Sequence, residues 1–400
     1  MTSGHPATDI LIIENMFKIT THTPKVIIFA AVCGVMTSCF KDEPLNAECD
    51  IEQAYVHVDD PQLLFFSPSD TLINVKSDMS NIVFNIKEGT DLSVLAPVLK
   101  ITEGATVSPE SGTVHDFSDG RAVVYTVTSQ DGQWSRKYNI SFKTYDPVSM
   151  YNFEHTSFVK VKDDAGYFTW HELNPDGTEL PIWATGNPGF RLSMSTAKPD
   201  EYPTAPIADG YDGAAVKLVT RSTGSLGEMV KMPLAAGNLF TGTFNVGSAL
   251  INAMKATRFG VPYTHKPLRL TGWYKYRPGE IYKDKQGNEV TGRTDKGDIY
   301  AVLYDNHDNT GKAVTLDGSN VKTSPLIVAI AQVQEVKTTD EWTPFMADFE
   351  YKADIDPDKL KNQGYSLAVV FTSSEEGASF CGAIGSTLCI DKVIVDYEEQ

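Results

Sequence analysis

Short runs in which apolar and polar residues alternate are the main pattern of residues 56–145. The runs are rich in β-branched and aromatic residues, and Gly, Pro, Ser or Asp residues separate them, as is typical of β-strands joined by turns. They read INVK, IVFNI, VLAPVLKI, AVVYTVT and KYNISFK. An Asp-Gly pair in SQDGQW at 129–134 predicts a hairpin turn before the last run. The pattern therefore predicts a β-sandwich over residues 56–145.

The same strand pattern continues from residue 150 to residue 400. Its runs read AAVKLVT, LRLTGWYKY, DIYAVLY, LIVAIAQV, YSLAVVFTSS and LCIDKVIVDY. Only two segments have a helical pattern, SALINAMKAT around 248–257 and DPDKLKNQ after Asp356. Asp356 can cap the second helix, and Pro357 suits its first position. We expect an all-β chain whose second part, 150–400, is an antiparallel sandwich of jelly-roll type.

An apolar segment, VIIFAAVCGVM at 26–36, precedes both sandwiches. It is too short to cross a hydrocarbon core of about 30 Å as a helix. Lysines lie before it and small residues follow it, which is typical of a secretory signal. We expect residues 1–38 to be a signal peptide, with Met16 the more natural start and residues 1–15 a start-site error. The alternative is an N-terminal transmembrane or core helix.

Cys39 comes directly after this segment, which resembles a bacterial lipoprotein signal except that Met36 stands where Leu is usual. The residues FKDE at 40–43 resemble the signal that exports Bacteroidetes-type lipoproteins to the outer leaflet of the outer membrane. The resemblance implies a diacylglycerol on Cys39 that anchors the chain to the outer membrane. It also implies a surface-exposed location, with residues 39–55 as a polar tether.

The charge of the chain argues against nucleic acid as a partner. The sequence has 34 Lys and Arg against 52 Asp and Glu, a net charge of −18. Nucleic-acid phosphates demand basic patches. An acidic balance also keeps exported proteins soluble, so it identifies no partner.

Three cysteines remain beyond the signal and Cys39, namely Cys49, Cys381 and Cys389. Their spacing is not that of a zinc site. In an oxidising compartment Cys381 and Cys389 can form a disulfide. Alternatively, the segment GAIGS between them holds their Cβ atoms apart. The sequence leaves both possibilities open.

Two resemblances extend this reading. The segment LAPVLKITEGATVSPESGTVHDFSDGRAVVYTVTSQDGQWSRKYNISF resembles the Ig-like modules at the N-termini of Bacteroidetes surface lipoproteins, which implies a spacer. Further along, WATGNPGF, GNLFTGTF, RFGVPYTHKPLRLTGWYKYRPG, DKGDIYAVLYD, EWTPFMADFEY and FTSSEEGASFCGAIGSTLCIDKV resemble the putative carbohydrate metabolism domain of Bacteroidetes lipoproteins. This second resemblance implies a jelly-roll β-sandwich similar to carbohydrate-binding modules, and it brings no catalytic motif.

Alternation along LRLTGWYKYR separates a core face from a polar face. The core face has Leu268, Leu270, Tyr274 and Tyr276, and the polar face has Arg269, Thr271, Trp273, Lys275 and Arg277. An aromatic ring beside hydrogen-bond donors is what a sugar-binding surface needs. If the strand DIYAVLY is a neighbour, Tyr300 and Tyr304 line the same face as Trp273. The alternative is that loops cover this face and its rings form a second core.

Trp183 and Asn187 lie in the glycine-rich stretch IWATGNPGF. Glycines beside them allow a sharp turn that would present the ring and the amide at the edge of the sandwich. Asn187 could then bind a sugar hydroxyl. It could equally hydrogen-bond within its own turn, which is the reading that we favour.

Motifs of catalysis are absent from the sequence, which has no HExxH, phosphate loop or GxSxG. Asp295, Asp298, Glu341 and Asp348 are ordinary carboxylates, and a sequence cannot show which pair converges as a glycosidase requires. The resemblance to carbohydrate-binding modules implies one cofactor, a structural calcium between Glu154 on the first strand and Asp391 on the last. We expect no other cofactor.

Three functions remain compatible with these observations. The first is a non-catalytic surface lipoprotein that binds glycans for polysaccharide capture. The second is a glycoside hydrolase or related carbohydrate-active enzyme on the same sandwich. The third is a structural or adhesive surface protein. The absence of catalytic motifs favours binding, and the strand with Trp273 favours a glycan as the partner.

The lipoprotein assignment predicts two separable defects. Cys39→Ala should abolish lipidation, because the thiol that accepts the lipid is lost. Alanine at Lys41, Asp42 and Glu43 together should keep the lipid but lose surface display. Metabolic lipid labelling and protease treatment of whole cells measure the two properties. If external protease still removes the triple variant completely, the export assignment is wrong.

Overall fold

The computed structural model describes residues 44–398 except 67, 88, 163 and 175–176. The predicted signal, Cys39 and the cluster at 41–43 lie outside the described residues. Within the described part, none of the helices has the length and apolar character needed to cross a membrane.

Residues 51–144 form two sheets with their own core. The strands are β1 (Ile51–Val56), β2 (Leu72–Asn74), β3 (Asn81–Ile86), β4 (Pro97–Ile101), β5 (Thr106–Ser108), β6 (Val123–Thr128) and β7 (Ser135–Thr144), and Pro61–Leu64 forms the short helix α1. One sheet has the order β2-β1-β4 and the other the order β3-β7-β6-β5. Strands β3 and β7 run parallel, and the other pairs are antiparallel.

The start of this sandwich differs from the prediction. Strand β1 begins at Ile51, inside the segment 39–55 that was expected to be a tether. In its sequence IEQAYV, Ile51, Ala54 and Val56 are buried in the core. The strand pairs with both β2 and β4. The predicted Asp-Gly hairpin is confirmed, because β6 and β7 pair from Thr128 and Ser135 on either side of the turn.

Residues 150–398 contain many short strands and a few long ones. The strands are β8 (Met150–Tyr151), β9 (Thr156–Lys162), β10 (Ala165–Trp170), β11 (Glu172–Leu173), β12 (Glu179–Leu180), β13 (Trp183–Ala184), β14 (Thr204–Ile207), β15 (Ala215–Val219), β16 (Arg221–Ser222), β17 (Leu234–Ala235), β18 (Asn238–Phe244), β19 (Thr257–Phe259), β20 (Val261–Tyr263), β21 (Lys266–Arg277), β22 (Tyr282–Lys283), β23 (Asp298–Asp305), β24 (Ile327–Gln332), β25 (Thr339–Asp348), β26 (Glu350–Tyr351), β27 (Tyr365–Thr372), β28 (Gly382–Ala383) and β29 (Thr387–Glu398). The helices are α2 (Asn187–Ser193), α3 (Gly224–Met229), α4 (Val246–Ile251) and α5 (Pro357–Lys361).

Two large sheets organise these strands. The six-stranded sheet has the order β14-β15-β29-β21-β25, with β8 paired to β29. The eight-stranded sheet has the order β13-β18-β27-β23-β24-β26, with β19 on β18 and β20 on β27. Side chains from both sheets, such as Tyr274 and Ile390 from one and Ile299 and Val369 from the other, belong to one buried cluster. The all-β sandwich predicted from the strand pattern is therefore confirmed.

The observed helices agree only in part with those predicted from the sequence. Helix α5 begins after Asp356, whose carboxylate accepts hydrogen bonds from the N–H groups of Asp358 and Lys359, as predicted. The other predicted helix is shorter than expected, because α4 ends at Ile251 and a strand starts at Thr257. Helices α2 and α3 were not predicted, since their Gly-containing sequences resemble turns.

A buried hydrogen-bond network around Asp295 joins the two sheets at one end. The Asp295 carboxylate accepts hydrogen bonds from the Ser374 hydroxyl at 2.6 Å, the Ser386 hydroxyl at 2.7 Å and the Ala383 N–H at 2.7 Å. Ser374 follows β27 of the eight-stranded sheet, and Ser386 precedes β29 of the six-stranded sheet. Thr220, at the end of β15, is hydrogen-bonded to Ser374. One carboxylate thus connects strand ends of both sheets.

We expect Asp295→Ala to destabilise the fold strongly. The substitution leaves buried hydroxyl and N–H donors without an acceptor, and each such loss costs about 1 to 3 kcal/mol. Chemical denaturation should show a fall of at least about 3 kcal/mol in the free energy of unfolding. Asp348→Ala, at an exposed carboxylate, is the matched control and should change stability by less than about 1 kcal/mol. Equal stabilities of the two variants would refute the role of the network.

Candidate functional site

Trp273 lies near the middle of the six-stranded sheet, on the long strand β21. It is opposite Asp391 of β29 on one side and opposite Pro344 of β25 on the other. Its neighbours Gly272 and Tyr274 are buried on the core side. Trp273 therefore faces outward and is partly exposed, which is the orientation that the alternation predicted.

Tyr211 covers one side of the Trp273 ring. The two rings are stacked with centroids 3.8 Å apart and planes inclined by 11°. Tyr211 itself is 46% exposed. The ammonium of Lys275, which is also on β21, lies 5.0 Å from the centre of the Trp342 ring on the neighbouring strand β25. We call the surface formed by Tyr211, Trp273, Lys275 and Trp342 the aromatic face.

An ion pair lies further along this side of the sheet. The Arg269 guanidinium is 2.6 Å from the Asp348 carboxylate, and both side chains are largely exposed. The carboxylate holds the pKa of Arg269 above its ordinary value through this hydrogen bond. One predicted core residue differs: Leu268 is 44% exposed, because the strand register shifts between Pro267 and Arg269.

The loop that carries Tyr211 is held by the two carboxylates predicted to bind calcium. Asp391 accepts hydrogen bonds from the N–H groups of Tyr211 at 2.7 Å and Asp212 at 3.1 Å. Glu154 accepts one from the N–H of Ala214 at 3.1 Å. Gly213 has a φ of +86°, and a Cβ there would lie 2.1 Å from a Glu154 oxygen. The loop therefore needs glycine at this position to approach Glu154.

Both carboxylates thus accept backbone N–H hydrogen bonds from this loop. Calcium takes six to eight oxygen ligands, and the predicted calcium site at Glu154 and Asp391 stays a prediction. The Lys392 ammonium also lies 3.1 Å from Asp212 of the same loop. Burial raises the pKa of Asp391, and the backbone hydrogen bonds oppose that rise. Among the residues that the structure describes, no group of three or more His, Cys, Asp or Glu side chains could hold a metal.

Tyr300 and Tyr304 do not share a surface with Trp273, contrary to the expectation. Their strand β23 belongs to the eight-stranded sheet, whereas Trp273 is in the six-stranded sheet. Both tyrosines are buried, at 5% and 1% exposure, in a second apolar cluster with Phe240 and Leu316. The alternative of a second covered core is therefore the correct one for these rings.

Trp183 and Asn187 are buried, so neither is presented at an edge. The Trp183 indole N–H donates to the Glu172 carboxylate at 2.8 Å. The Asn187 amide donates to the Thr204 carbonyl at 2.8 Å and accepts from the Thr204 N–H at 3.1 Å. Asn187 thereby attaches α2 to β14, so its side chain has a structural role, but its partner is a distant strand and not its own turn as expected.

A cavity of about 730 Å³ lies on the outer side of the eight-stranded sheet. Side chains of the sheet, of helices α2, α3 and α4 and of the segment 318–323 line it. Most of these side chains are apolar, and Asp298, Lys322 and Glu376 are among the charged ones. No sequence pattern indicated this cavity, because its walls come from segments far apart in the chain.

Two carboxylates of the cavity wall, Asp298 and Glu376, are already paired. Asp298 forms an ion pair with Lys322 and accepts a hydrogen bond from Gln332 at 3.0 Å. The Tyr282 hydroxyl and the Arg293 guanidinium hold the pKa of Glu376 below its ordinary value. A glycosidase acid needs a raised pKa, so Glu376 lacks this property.

The remaining residues singled out in the sequence lie apart. Asp295 is buried in its network, whereas Glu341 and Asp348 are exposed on β25 of the other sheet. Cys49, Cys381 and Cys389 are free thiols in the structure. Burial raises the pKa of Cys389, which lies within strand β29.

Two family profiles match the chain. The profile of the putative carbohydrate metabolism domain matches residues 152–396. The profile described as SGBP, N-terminal, matches residues 64–141. No curated protein matches the chain.

Two solved structures are similar to it. A protein from Bacteroides thetaiotaomicron, described as a putative glycoside hydrolase, is 39% identical, with a TM-score of 0.62 over 90% of this chain and 100% of that chain. A second, from Bacteroides vulgatus and described in the same words, is 37% identical, with a TM-score of 0.58 over 62% of this chain and 98% of that chain.

Glu172 predicts a pH dependence of stability. Burial raises its pKa from 4.5 to about 7, although the hydrogen bond from Trp183 opposes the rise. The folded chain thus retains a proton that the unfolded chain releases, so stability is greatest at low pH and is lost as pH rises through 7. The free energy of unfolding of the wild type should fall by up to about 3 kcal/mol between pH 5 and 8, and Glu172→Gln should remove this fall.

Denaturation curves at several pH values measure this effect. Glu341→Gln, at an exposed carboxylate, is the control and should keep the decrease. If the wild type and Glu172→Gln lose stability equally between these pH values, Glu172 is not the titrating group.

Proposed function

Because the chain belongs to the putative carbohydrate metabolism domain family, we propose that it is a non-catalytic glycan-binding protein of the cell surface. The observation that carries this proposal is the aromatic face. Trp273 and Trp342 lie on strands of the six-stranded sheet, Tyr211 lies on the loop held by Asp391, and Lys275 beside them supplies a hydrogen-bond donor.

The aromatic face has the two properties that sugar recognition requires. A pyranose ring presents an apolar C–H face that packs on an aromatic ring, and its hydroxyls need polar partners. Trp273 and Tyr211 are stacked on each other, so the exposed side of Tyr211 and the rim of Trp273 are the surfaces open to a sugar. Lys275, two positions from Trp273 along β21 and therefore on the same side of the sheet, supplies an ammonium donor for a sugar hydroxyl.

The proposed location is the outer surface of the outer membrane, where Cys39 would carry the lipid. The match of residues 64–141 to the SGBP profile supports a cell-surface protein. The sequence at 26–43 supports the lipid anchor. The N-terminal sandwich would then hold the glycan-binding part away from the membrane.

A glycoside hydrolase is the alternative that the similar solved structures favour, since both are described as putative glycoside hydrolases. The paired state of Asp298 and Glu376 supports binding over hydrolysis. A structural or adhesive role would not need the stacked rings. Assaying reducing-sugar release on every glycan that binds separates the first two functions.

We expect Trp273→Ala to weaken glycan binding. A glycan array with residues 40–400 identifies the ligand, and calorimetry then measures its Kd. Loss of an aromatic stacking partner typically costs about 1 to 3 kcal/mol of binding. The melting temperature should fall only slightly, because the ring pair with Tyr211 contributes about 0.5 to 1.5 kcal/mol.

Two further variants make this test specific. Tyr211→Phe keeps the stacked ring and should retain binding. Trp134→Ala removes an exposed tryptophan of the N-terminal sandwich and should leave both Kd and melting temperature unchanged. Wild-type affinity in Trp273→Ala would exclude the aromatic face as the glycan site.

A further inference from the structure

The cavity on the eight-stranded sheet is separate from the aromatic face, because the two lie on different sheets. Phe240, Tyr300 and Val370 of strands β18, β23 and β27 form its floor. Phe190 of α2 and Met254, which follows α4, line its sides. Its volume of about 730 Å³ lies within the range of about 300 to 1,000 Å³ that is usual for small-molecule sites.

The walls and the mouth of the cavity are mainly apolar. Leu192 of α2, Leu226 of α3 and Val230 all line it, and each of them is about half exposed to solvent. Covering exposed apolar side chains with a ligand favours binding by roughly 25 cal/mol per Å² of apolar surface removed from water. The lining therefore favours an apolar ligand. An unsubstituted sugar, whose surface is largely polar, would bind these side chains weakly.

The charges of the cavity decide which apolar ligands suit it. Lys322 is the only cationic side chain on the wall within the described residues. Its ammonium is paired with Asp298 and lies 4.3 Å from the centre of the Tyr300 ring. Glu375 adds negative charge at one end, whereas Glu376 is paired with Arg293. No uncompensated cation remains for a carboxylate or phosphate, so an anionic ligand would be repelled.

We propose that this cavity binds an uncharged apolar group, such as an alkyl chain or an aromatic ring system. Such a group can be a substituent of a glycan or glycolipid, or part of a free small molecule. The apolar wall would bind the same kind of group from either source. Binding here is independent of the glycan binding proposed for the aromatic face.

Fluorescence of N-phenyl-1-naphthylamine, a neutral apolar probe, tests the proposal on residues 40–400, which include every residue that the structure describes. We expect saturable binding of one probe per chain. Ala249→Trp should weaken it by about tenfold or more, because a large side chain on α4 fills part of the cavity. Ala353→Trp, the same change at an exposed site away from the lining, should leave binding unchanged.

Circular dichroism and the melting temperature establish that each variant is folded. If Ala249→Trp does not fold, Ala253→Phe at the next lining position replaces it. Absence of saturable probe binding to the wild type, or equal binding by the filled and control variants, would overturn the proposal.

Competition then distinguishes the ligand chemistry and its source. Octanol should displace the probe, whereas octanoate, with the same chain and a negative charge, should do so at least about tenfold less well. Displacement by octanoate as strong as that by octanol would overturn the requirement for an uncharged ligand. Octyl glucoside below its critical micelle concentration should displace the probe and glucose should not. Competition by octyl glucoside that is stronger than by octanol favours a glycan-linked source, and the reverse favours a free small molecule.

Trp273→Ala separates this proposal from the glycan-binding function. It should keep full probe affinity, because Trp273 lies on the other sheet. Loss of probe binding in Trp273→Ala would show that the probe binds at the aromatic face instead of the cavity.

Discussion

The Asp295 carboxylate is the contact on which the arrangement of the C-terminal sandwich depends most. It is almost fully buried and accepts hydrogen bonds from residues at the ends of strands in both sheets. A buried carboxylate without such donors would be very unfavourable, so the strand ends must converge on it. Gly382 shows how closely they do so, since a Cβ there would lie 2.7 Å from the Ser374 hydroxyl. The network thereby fixes the sheets that carry the aromatic face and the cavity.

The outer surfaces of the two sheets differ. On strand β21 of the six-stranded sheet, the residues that alternate with the core are polar or aromatic and at least partly exposed. On strand β23 of the eight-stranded sheet, the corresponding positions are Tyr300, Val302 and Tyr304, which are buried. The helices and the 318–323 segment cover them incompletely, and the space left is the cavity. The same period of two therefore produces a partly exposed polar and aromatic surface on one strand and the floor of an apolar cavity on the other.

Sequence periodicity was sufficient to predict the main strands and the side of each that faces the main core. The side chains of β21 and β23 alternate as predicted, with Tyr274 and Ile299 inside. Periodicity could not tell which sheet a strand joins, so it placed Tyr300 and Tyr304 beside Trp273. It also missed Tyr211, because a loop residue has no period and its position depends on contacts distant in sequence. The glycines on both sides of Tyr211 were the only sequence feature that could have indicated a sharply turning loop presenting this ring.

The loop with Tyr211 is held by carboxylates that are distant from it in sequence. Glu154 and Asp391 accept hydrogen bonds from backbone N–H groups of the loop. Asp391 is opposite Trp273 in the sheet and also binds the N–H of Tyr211, so one side chain sets the separation of the two rings. Because Asp391 is 180 residues from Tyr211 in the chain, the aromatic face can form only after β29 has joined the sheet. The aromatic face is therefore a property of the closed sandwich and not of the strand that carries Trp273.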